Sequence, residues 1–378
     1  MRARRTRARA VVAAFALSAA TALPSAGQTS LGLAEAPSYG GWAAAVDQAR
    51  DTIRAQMRSQ GIPGATAAVA VDGRIVWAEG FGWADVENKV GADVQTRFRI
   101  ASISKAVTAA AVGQLVEQGR LDLDAPVQRY VPGFPEKPRG TVTTRLLAGH
   151  LAGIRHYRGM EFANRAHYDD VVDALEIFAA DPLEAPPGER YSYSTYGWNL
   201  ISAVVQNASG TRFLTYMREH VLDQVGMRET VAEHGDSLIA NRGRQYVRGD
   251  DGRLLNAPWV DNSSKWAGGG YLSTASDLVR YGSAYLDGSL LRPETVDLMW
   301  TPQKNNAGED IPYGIGWFTG TQDGERLVWH TGGAVGGSTM LLIVPGDRIV
   351  VSILTNLENA SPAATARAVA GYFAAARP

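Results

Sequence analysis

The segment Phe98-Arg99-Ile100-Ala101-Ser102-Ile103-Ser104-Lys105 decides the fold and much of the chemistry of this chain. Its first half is strand-like, and the run 106–112 that follows is typical of a helix. Residues three apart share a helix face, so the Ser102 hydroxyl and the Lys105 amine are predicted to touch. Burial near a helix N-terminus lowers the pKa of a lysine, which can then take the proton of a serine nucleophile. The pattern predicts an acyl-enzyme, although a chain of this length carries about one Ser-x-x-Lys by chance.

The composition is that of a soluble globular protein. The chain has 378 residues, enough for one large or two ordinary domains, and it is 45% hydrophobic and 20% charged. Its formal net charge is −1 and becomes −6 without the five arginines of residues 1–9. A protein with this acidic balance does not indicate the basic surface that nucleic-acid binding requires. The absence of cysteine excludes disulfides, thiolate catalysis and cysteine-ligated zinc.

Residues 1–26 have the pattern of a signal peptide. A basic stretch, Met1–Arg9, precedes an apolar stretch, Ala10–Ala20, and Ala20-Thr21-Ala22 supplies a small-residue cleavage site, with cleavage near Ala26 as the alternative. The apolar stretch is too short for a stable membrane span. We expect an exported protein, periplasmic or secreted, by the general or the twin-arginine route; the competing interpretation is a disordered tail.

Strand patterns lie at both ends of the chain and helical patterns in the middle. A helical face runs from Trp42 to Met57 and ends at Gly61-Ile62-Pro63-Gly64. Strands are predicted over 65–71 and 75–78, joined by an Asp72-Gly73 hairpin turn, and again over 313–319, 326–330, 338–344 and 349–355. Helices are predicted over 103–118, 142–150, 170–180, 195–207 and 212–222, with a last helix opened by Ser361 and Pro362 and running to Ala375.

This order predicts an α+β fold. One antiparallel sheet, built from the N- and C-terminal segments and flanked by helices, forms a lobe of residues 40–106 and 266–378. An all-α lobe, residues 107–265, is inserted between them, and the two lobes make one catalytic unit. Ser102 stands where the chain crosses from one lobe to the other, and a cleft between lobes is a usual place for a site.

Two further segments carry residue types suited to catalysis. Tyr193 follows Pro187-Gly188-Glu189-Arg190 in a loop that enters a helix, and His330-Thr331-Gly332-Gly333 lies on a probable strand. Each is weak alone, since a loop tyrosine is usually packed and a lone histidine is usually structural. The glycine pair alone is equally consistent with a tight bend.

Together and in this order, the three segments resemble the motifs of the serine beta-lactamase and penicillin-binding protein superfamily: Ser-x-x-Lys, Tyr-x-Asn and Lys/His-Thr-Gly. Their spacing is similar to that of the class C beta-lactamase and DD-carboxypeptidase branch, and the chain is most similar to the mitochondrial-type beta-lactamase-like serine proteases and their bacterial relatives. The resemblance covers about residues 50–375. Its other blocks are Leu121-Asp122-Leu123-Asp124, His150-Leu151-Ala152-Gly153, Tyr193-Ser194-Thr195-Tyr196 and Asn262-Ser263-Ser264-Lys265-Trp266-Ala267-Gly268-Gly269-Gly270.

The resemblance implies a beta-lactamase/transpeptidase-like fold and a role for each motif residue. Ser102 would be acylated, Lys105 would deprotonate it, and Tyr193 would be a second proton shuttle whose phenol is kept acidic by nearby positive charge. The backbone N–H groups of Ser102 and Gly333 would form the oxyanion hole. Thr331 and the strand backbone would align substrate along the sheet edge. The residues implied to bind substrate are Thr195, His330, Thr331 and Gly332.

The sequence departs from the motifs at two positions. Thr195 stands where many relatives carry asparagine, and His330 stands where beta-lactamases carry lysine. A neutral imidazole attracts a substrate carboxylate weakly, so these changes disfavour efficient beta-lactam hydrolysis and leave the acylation residues untouched.

Several other residues are interpreted without a catalytic role. His150 and His156 are predicted to be structural because no spacing indicates a metal site, and no motif predicts a cofactor. The Trp266–Gly270 run is either a packed tryptophan beside a turn or a wall of the cleft.

The sequence therefore predicts an exported serine hydrolase acting on a small peptide, an ester or a beta-lactam, with a peptidase favoured. Beta-lactamase or D-alanyl-D-alanine carboxypeptidase activity is the alternative of the same class. A non-catalytic penicillin-binding protein and a self-assembling structural protein are the alternatives of other classes; the oligomeric state is left open.

Overall fold

The structure, a computed structural model, describes residues 40–377. The predicted signal peptide, residues 1–26, lies outside the described residues. The α-helices are α1 Ala43–Gln60, α2 Ile103–Glu117, α3 Thr144–Ala148, α4 Thr195–Ser209, α5 Phe213–Tyr216, α6 Trp266–Gly269, α7 Ala275–Asp287, α8 Pro293–Trp300 and α9 Ala363–Ala375. Short 3-10 turns occupy Gly40–Trp42, Val127–Arg129, Glu161–Ala163, Asp173–Ile177, Asp223–Val225 and Ser263–Lys265, and a π-helical turn occupies Met217–Leu222.

The strands form one large sheet and several small ones. They are β1 Gly64–Val71, β2 Arg74–Asp85, β3 Val90–Gly91, β4 Phe98–Arg99, β5 Val231–Ala232, β6 Tyr246–Arg248, β7 Leu254–Asn256, β8 Tyr271–Ser273, β9 Gln303–Lys304, β10 Asp310–Ile311, β11 Phe318–Gln322, β12 Glu325–Ala334, β13 Gly337–Val344 and β14 Ile349–Thr355. The large sheet has the order β11-β12-β13-β14-β1-β2-β3, and its pairs are antiparallel. The small antiparallel sheets are the three-stranded β4-β8-β5 and the two-stranded β6-β7 and β9-β10.

The sheet joins the two ends of the chain, as the sequence predicts. The hairpin between β1 and β2 turns at Asp72 and Gly73, whose φ values are 49° and 78°. Two successive residues with positive φ match the right-handed twist of the strands in a two-residue turn. On its other edge β1 pairs with β14, from Ala65 opposite Thr355 to Val71 opposite Ile349. The predicted α+β class with an antiparallel sheet from both termini is therefore confirmed.

Both faces of the sheet are covered by helices. Helices α1 and α9 pack on one face, where Phe373 of α9 stacks between Trp42 and Trp77 at ring-centroid distances of 5.7 and 6.1 Å. The other face packs against α7 and a larger core that extends into α2 and α4. Residues 40–377 lie in one compact unit, and the division into sheet and helical lobes stays a prediction.

Some predicted elements differ in their bounds or type. The strand predicted over 313–319 is wrong, because Gly314 and Gly316 turn the chain there and the strand begins only at Phe318. At Gly316 φ is 79°, and a Cβ on Gly314 would lie 2.0 Å from the Met299 carbonyl oxygen. The helix predicted over 170–180 is a 3-10 turn, and α9 begins at Ala363 with Pro362 as its cap. No helix within residues 40–377 is long and apolar enough to span a membrane.

Truncation of the aromatic stack tests the packing of the terminal helix. Phe373→Ala is expected to lower the free energy of unfolding by about 3–5 kcal/mol, because a fully buried ring is replaced by a cavity. The matched control on the same helix is Gly371→Ala. Its Cβ would meet nothing within 4 Å, so it should raise stability by about 0.5–1 kcal/mol through helix propensity. Urea denaturation followed by circular dichroism measures both; an unchanged midpoint for Phe373→Ala would contradict the packing described.

Candidate active site

The nucleophile sits on a sharp turn from strand to helix. Strand β4 ends at Arg99, and Ala101 takes a positive φ of 50° before Ser102, which occupies the N-cap position of α2. The left-handed region costs a non-glycine residue roughly 1–2 kcal/mol, so the surrounding structure must hold it. Ile100 does so by donating its N–H to the Tyr271 carbonyl at 3.0 Å, and the Ala101 carbonyl accepts from Ser104 at 2.9 Å. The Ser102 side chain does not cap the helix, so its hydroxyl is available to Lys105.

Lys105 lies one helical turn beyond Ser102 and is fully buried. Its Nζ is 3.0 Å from Ser102 Oγ, 3.1 Å from Thr195 Oγ1 and 2.7 Å from the Gly268 carbonyl oxygen. Burial lowers the pKa of Lys105 well below its usual value, and the positive charge of Lys265 lowers it further.

The three contacts of Lys105 fit an uncharged amine that serves as a base. A neutral amine has two N–H donors and one lone pair, whereas a carbonyl oxygen can only accept. If the donors go to Gly268 and Thr195, the lone pair is left for the Ser102 hydroxyl. Gly268 must be a glycine for this arrangement, since a Cβ there would lie 2.5 Å from Thr195 Cγ2.

Tyr193 completes the group around Ser102. Its ring centroid lies 4.9 Å from Lys105 Nζ, and its hydroxyl is close enough to Ser102 for that side chain to lower its pKa. The expectation of an acidic phenol is wrong: burial raises the pKa of Tyr193 above its usual value, and the influence of Ser102 offsets this only in part. The reason is that Lys105, the cation expected to acidify the phenol, is itself driven toward its neutral form by burial. Tyr193 is thus protonated at neutral pH.

Two histidines hold the loop that carries Tyr193. His150 Nδ1 accepts from the Ser194 N–H at 3.1 Å, and its ring centroid lies 4.2 Å from that of Tyr193. His156 Nδ1 accepts from the Thr195 N–H at 3.2 Å. Burial lowers both histidine pKa values, that of His156 to about 4, so both rings are neutral acceptors. Their contacts are those of positioning residues, and residues 40–377 contain no cluster that could hold a metal ion.

Strand β12 presents an open edge beside the nucleophile. β11 pairs with β12 only as far as Trp329, so within the described chain residues 330–334 have a strand neighbour, β13, on one side only. Gly332 packs so closely that a Cβ would lie 2.4 Å from the Ile100 carbonyl oxygen and 2.2 Å from Thr339 Oγ1. Nothing lies within 4 Å of the corresponding point on Gly333. The strand backbone therefore lies against the turn that carries Ser102.

The nucleophile opens onto a cavity of about 720 Å³. Of the residues predicted from the sequence, Ser102, Tyr193, Thr195, Thr331, Gly332 and Gly333 line it, and Lys105 lies behind Ser102. A cavity of this size accommodates a ligand with the bulk of a short peptide.

Comparison with known proteins gives the family. The beta-lactamase family model matches residues 49–375. The chain belongs to the beta-lactamase family. Among its relatives is the human mitochondrial serine beta-lactamase-like protein LACTB, which is 34% identical over 88% of this chain and 80% of the human protein. Penicillin-binding protein 4* of Bacillus subtilis is 28% identical over 78% of this chain and 68% of its own length.

Solved structures agree with this assignment. The octameric penicillin-binding protein homologue of Pyrococcus abyssi is 27% identical, has a TM-score of 0.74 and matches 85% of this chain and 75% of its own. The resemblance predicted from the motifs, to mitochondrial-type members and bacterial relatives, is confirmed. The beta-lactamase family to which the chain belongs is one of serine hydrolases.

His330 is the predicted site residue that the structure does not bring to the cavity. Side chains alternate along a strand, so Thr331 faces the cavity and His330 faces the opposite side. His330 is fully buried; its Nδ1 contacts the Thr331 carbonyl oxygen at 2.6 Å, and its Nε2 contacts the Tyr313 hydroxyl at 2.9 Å. Burial lowers its pKa to about 3, so the ring is neutral. In this beta-lactamase family member the histidine braces the strand.

The Trp266–Gly270 run divides into a packed part and a lining part. Trp266 is buried and its ring lies 4.9 Å from that of His234, whereas Gly268 and Gly269 line the cavity. The packed-tryptophan interpretation therefore describes Trp266, and the cleft-wall interpretation describes the glycines.

Sequence reasoning missed a buried charged group on the cavity wall. Arg99 donates to both carboxylate oxygens of Glu233, at 2.6 and 3.0 Å, and to the Val335 carbonyl at 2.6 Å. The Asn262 amide donates to Glu233 at 2.6 Å, and the neighbouring Lys265 also lines the cavity. The available signal was Arg99 itself, a charged residue in the otherwise apolar run 98–101 that leads to the nucleophile.

Proposed function

We propose that this member of the beta-lactamase family is an exported hydrolase that acts through an acyl-enzyme at Ser102, on peptides or esters, with peptidase activity favoured. The observation that carries the proposal is the 3.0 Å contact between Ser102 Oγ and Lys105 Nζ, in which burial favours the uncharged amine. An uncharged amine can accept the serine proton, whereas an ammonium cannot.

The arrangement supports a two-step reaction. Lys105 Nζ accepts the Ser102 proton as Oγ attacks the substrate carbonyl carbon, and the oxyanion is held by the N–H groups of Ser102 and Gly333. Tyr193 gives its phenolic proton to the departing amine or alkoxide and regains one from Lys105. Water then attacks the acyl carbon and gives up a proton, which passes through the same two side chains to Ser102 Oγ. The bond between the acyl carbon and Oγ breaks, which releases the acid and regenerates Ser102.

Beta-lactamase or D-alanyl-D-alanine carboxypeptidase activity is the second candidate. Relatives named penicillin-binding proteins and the open edge of β12 favour it, because an extended ligand can add to a strand edge. The burial of His330 weighs against it, since the strand then offers no charged side chain at that position for a ligand carboxylate.

Covalent labelling tests the nucleophile. A fluorescent fluorophosphonate is expected to label the wild type and not Ser102→Ala, because the attacking oxygen is gone. The matched control is Ser104→Ala, which should label normally: Ser104 is fully buried, and its hydroxyl has no hydrogen-bond partner among the described residues. Gel fluorescence and intact-protein mass spectrometry give the readout. Absence of labelling and of 4-nitrophenyl ester turnover in the wild type would favour the non-catalytic alternatives.

The pH dependence tests the base. Acylation should be slow where Lys105 is protonated and rise with pH, with a midpoint below the ordinary lysine value of 10.5, because its pKa is lowered. His156 and His330, with pKa values of about 4 and 3, add no step between pH 5 and 9. Lys105→Met should slow acylation by about 10²–10⁴-fold, the usual worth of a general base. Stopped-flow labelling measures the profile in both proteins; an equal rate and an unchanged profile in Lys105→Met would argue against this role.

Export is tested by the N-terminus of the mature protein. The basic-then-apolar pattern of residues 1–26 predicts cleavage after Ala22 or near Ala26. Mass spectrometry of protein recovered from outside the cytoplasm should find such an N-terminus. An uncleaved chain confined to the cytoplasm would remove export from the proposal and leave the chemistry unaffected.

A further inference from the structure

A second cavity, of about 480 Å³, adjoins the cavity into which Ser102 opens. Phe162, Val335 and residues 358–361 line both cavities, so the two spaces meet beside the end of β12. The second cavity is hereafter the distal pocket. The residues that line it and not the first cavity are Gln60, Met160, Val247, Arg248, Pro258 and Leu357.

The two charged side chains of the distal pocket are bound by backbone groups. Arg248 donates to the carbonyl oxygens of Gly252 at 2.7 Å and Gly61 at 2.8 Å. Glu358 accepts from the Gly336 N–H at 3.2 Å. Because these charges are opposite in sign and both are engaged, the surface left for a ligand is mainly apolar, from Met160, Phe162, Val247, Pro258, Val335 and Leu357.

Met160 exposes its side chain at the rim of the distal pocket. It is 69% exposed and directly precedes the turn Glu161–Ala163. That turn is held in place, since Glu161 binds Arg155 at 2.6 Å and the Phe162 carbonyl accepts from Lys265 at 2.7 Å. A large exposed apolar side chain beside a cavity is typical of a binding surface, and a methionine adapts to ligands of different shape.

Another wall of the distal pocket is fixed to the large sheet. Tyr246 donates its N–H to the Asn356 carbonyl at 2.9 Å and accepts from the Glu358 N–H at 3.0 Å. Val247, the next residue of β6, is thereby held beside the chain that follows β14. Leu357 is only 3% exposed and packs in the core behind this wall. The pocket is therefore preformed, which limits the cost of binding.

The direction of β12 decides which part of a substrate reaches the distal pocket. All neighbouring strands of the large sheet are antiparallel, so a peptide added at the open edge is expected to run antiparallel to β12. β12 runs from His330 toward Val335, so the peptide runs from Val335 toward His330. Its residues before the scissile bond then lie on the Val335 side, where the distal pocket is.

The spacing along β12 sets how far from the scissile bond the distal pocket begins. The Gly333 N–H is assigned to the oxyanion, and Val335 lies two residues beyond it, about 7 Å at the rise of a strand. β12 ends at Ala334, and Gly336, with φ of 76°, turns the chain into β13. A substrate that continues past this point has no strand edge to pair with, so side-chain contacts must hold it.

We propose that the distal pocket binds an apolar side chain of a peptide substrate, two or more residues before the residue that acylates Ser102. This inference rests on the proposed function, because it concerns the substrate that Ser102 attacks. The preferred substrate is then an extended peptide with an apolar residue at that position. Met160 and Val247 are specificity residues here and take no part in the bond-making steps.

Three activated esters test the proposal. Acetyl-Leu-Gly-Gly 4-nitrophenyl ester places an apolar side chain two residues before the acylating glycine, and the asparagine analogue places a polar side chain of the same shape there. Acetyl-glycine 4-nitrophenyl ester ends before the distal pocket and reports the chemistry alone. In the wild type, kcat/KM for the leucine ester should exceed that for the asparagine ester roughly tenfold, the lower end of what burial of a leucine side chain contributes.

Substitutions within the distal pocket give the matched comparison. Met160→Ser combined with Val247→Ser removes apolar surface that does not line the cavity at Ser102, so the leucine-to-asparagine ratio should fall toward one. The control is Val90→Ser on β3, where a valine is 52% exposed and lines neither cavity; it should leave the ratio at its wild-type value. Equal kcat/KM for the leucine and asparagine esters in the wild type would overturn the proposal. A fall of the same size for all three esters in the double variant would also overturn it, because Met160 and Val247 would then serve the structure alone.

A second copy of this chain is the other occupant that the experiment distinguishes. Sedimentation analysis of the wild type and the double variant measures the mass in solution. A dimer that is lost in the double variant, together with equal rates for the leucine and asparagine esters, would overturn the proposal.

Failure of the proposed function is distinguished by binding. If the wild type turned over none of the three esters, the Ser102→Ala protein is titrated with the amides acetyl-Leu-Gly-Gly-NH2 and acetyl-Asn-Gly-Gly-NH2 by isothermal calorimetry. Tighter binding of the leucine peptide that is lost on adding Met160→Ser and Val247→Ser supports the distal pocket without any chemistry. Equal binding of the two peptides, or binding of neither, overturns it.

Discussion

Removal of the Lys105 amine from water is the constraint on which the rest of the site depends. The amine sits where α2, α4 and α6 converge, because its contacts are with Ser102 at the start of α2, Thr195 at the start of α4 and Gly268 within α6. Each of these positions is limited by the others: a larger residue at 268 would displace Thr195. His150 and His156 hold the loop that carries Tyr193. Gly332 of β12 packs against the Ile100 carbonyl, which fixes the strand beside Ser102. The reactivity of Ser102 therefore depends on the packing that buries the Lys105 amine.

The large sheet was predictable because its patterns are local. β1, β13 and β14 are buried on both faces and read as short apolar runs, and the Asp72-Gly73 turn adopts the positive φ values that its residue types favour. The wrong predictions concern segments whose conformation is decided by contacts with other parts of the chain. The chain around Tyr313 has a strand-like composition, yet Gly314 fits against the Met299 carbonyl and the chain turns. The sequence of that segment does not indicate that it packs against Met299.

The active site also has features that local sequence predicts and features that only the fold decides. The Ser102–Lys105 contact follows from helical spacing, so the sequence contained it. The direction of His330 depends on which strand face meets Tyr313, and the raised pKa of Tyr193 depends on how deeply its hydroxyl lies, so motif matching had no access to either. The Arg99–Glu233 pair joins residues far apart in sequence, and only the fold makes them neighbours. Lys265 was visible as part of a motif, but its burial on the cavity wall follows only from the fold.

The pairing of β1 with β14 has a consequence for how the chain acquires its structure. The strand that completes the centre of the sheet, β14, lies far beyond β1 in sequence, so one edge of β1 stays unpaired until β14 has been synthesised. Contacts between such distant segments slow folding, and a waiting strand edge is a template for aggregation. A chain that ends before residue 349 would therefore lack β14, and the central ladder between β13 and β1 could not close.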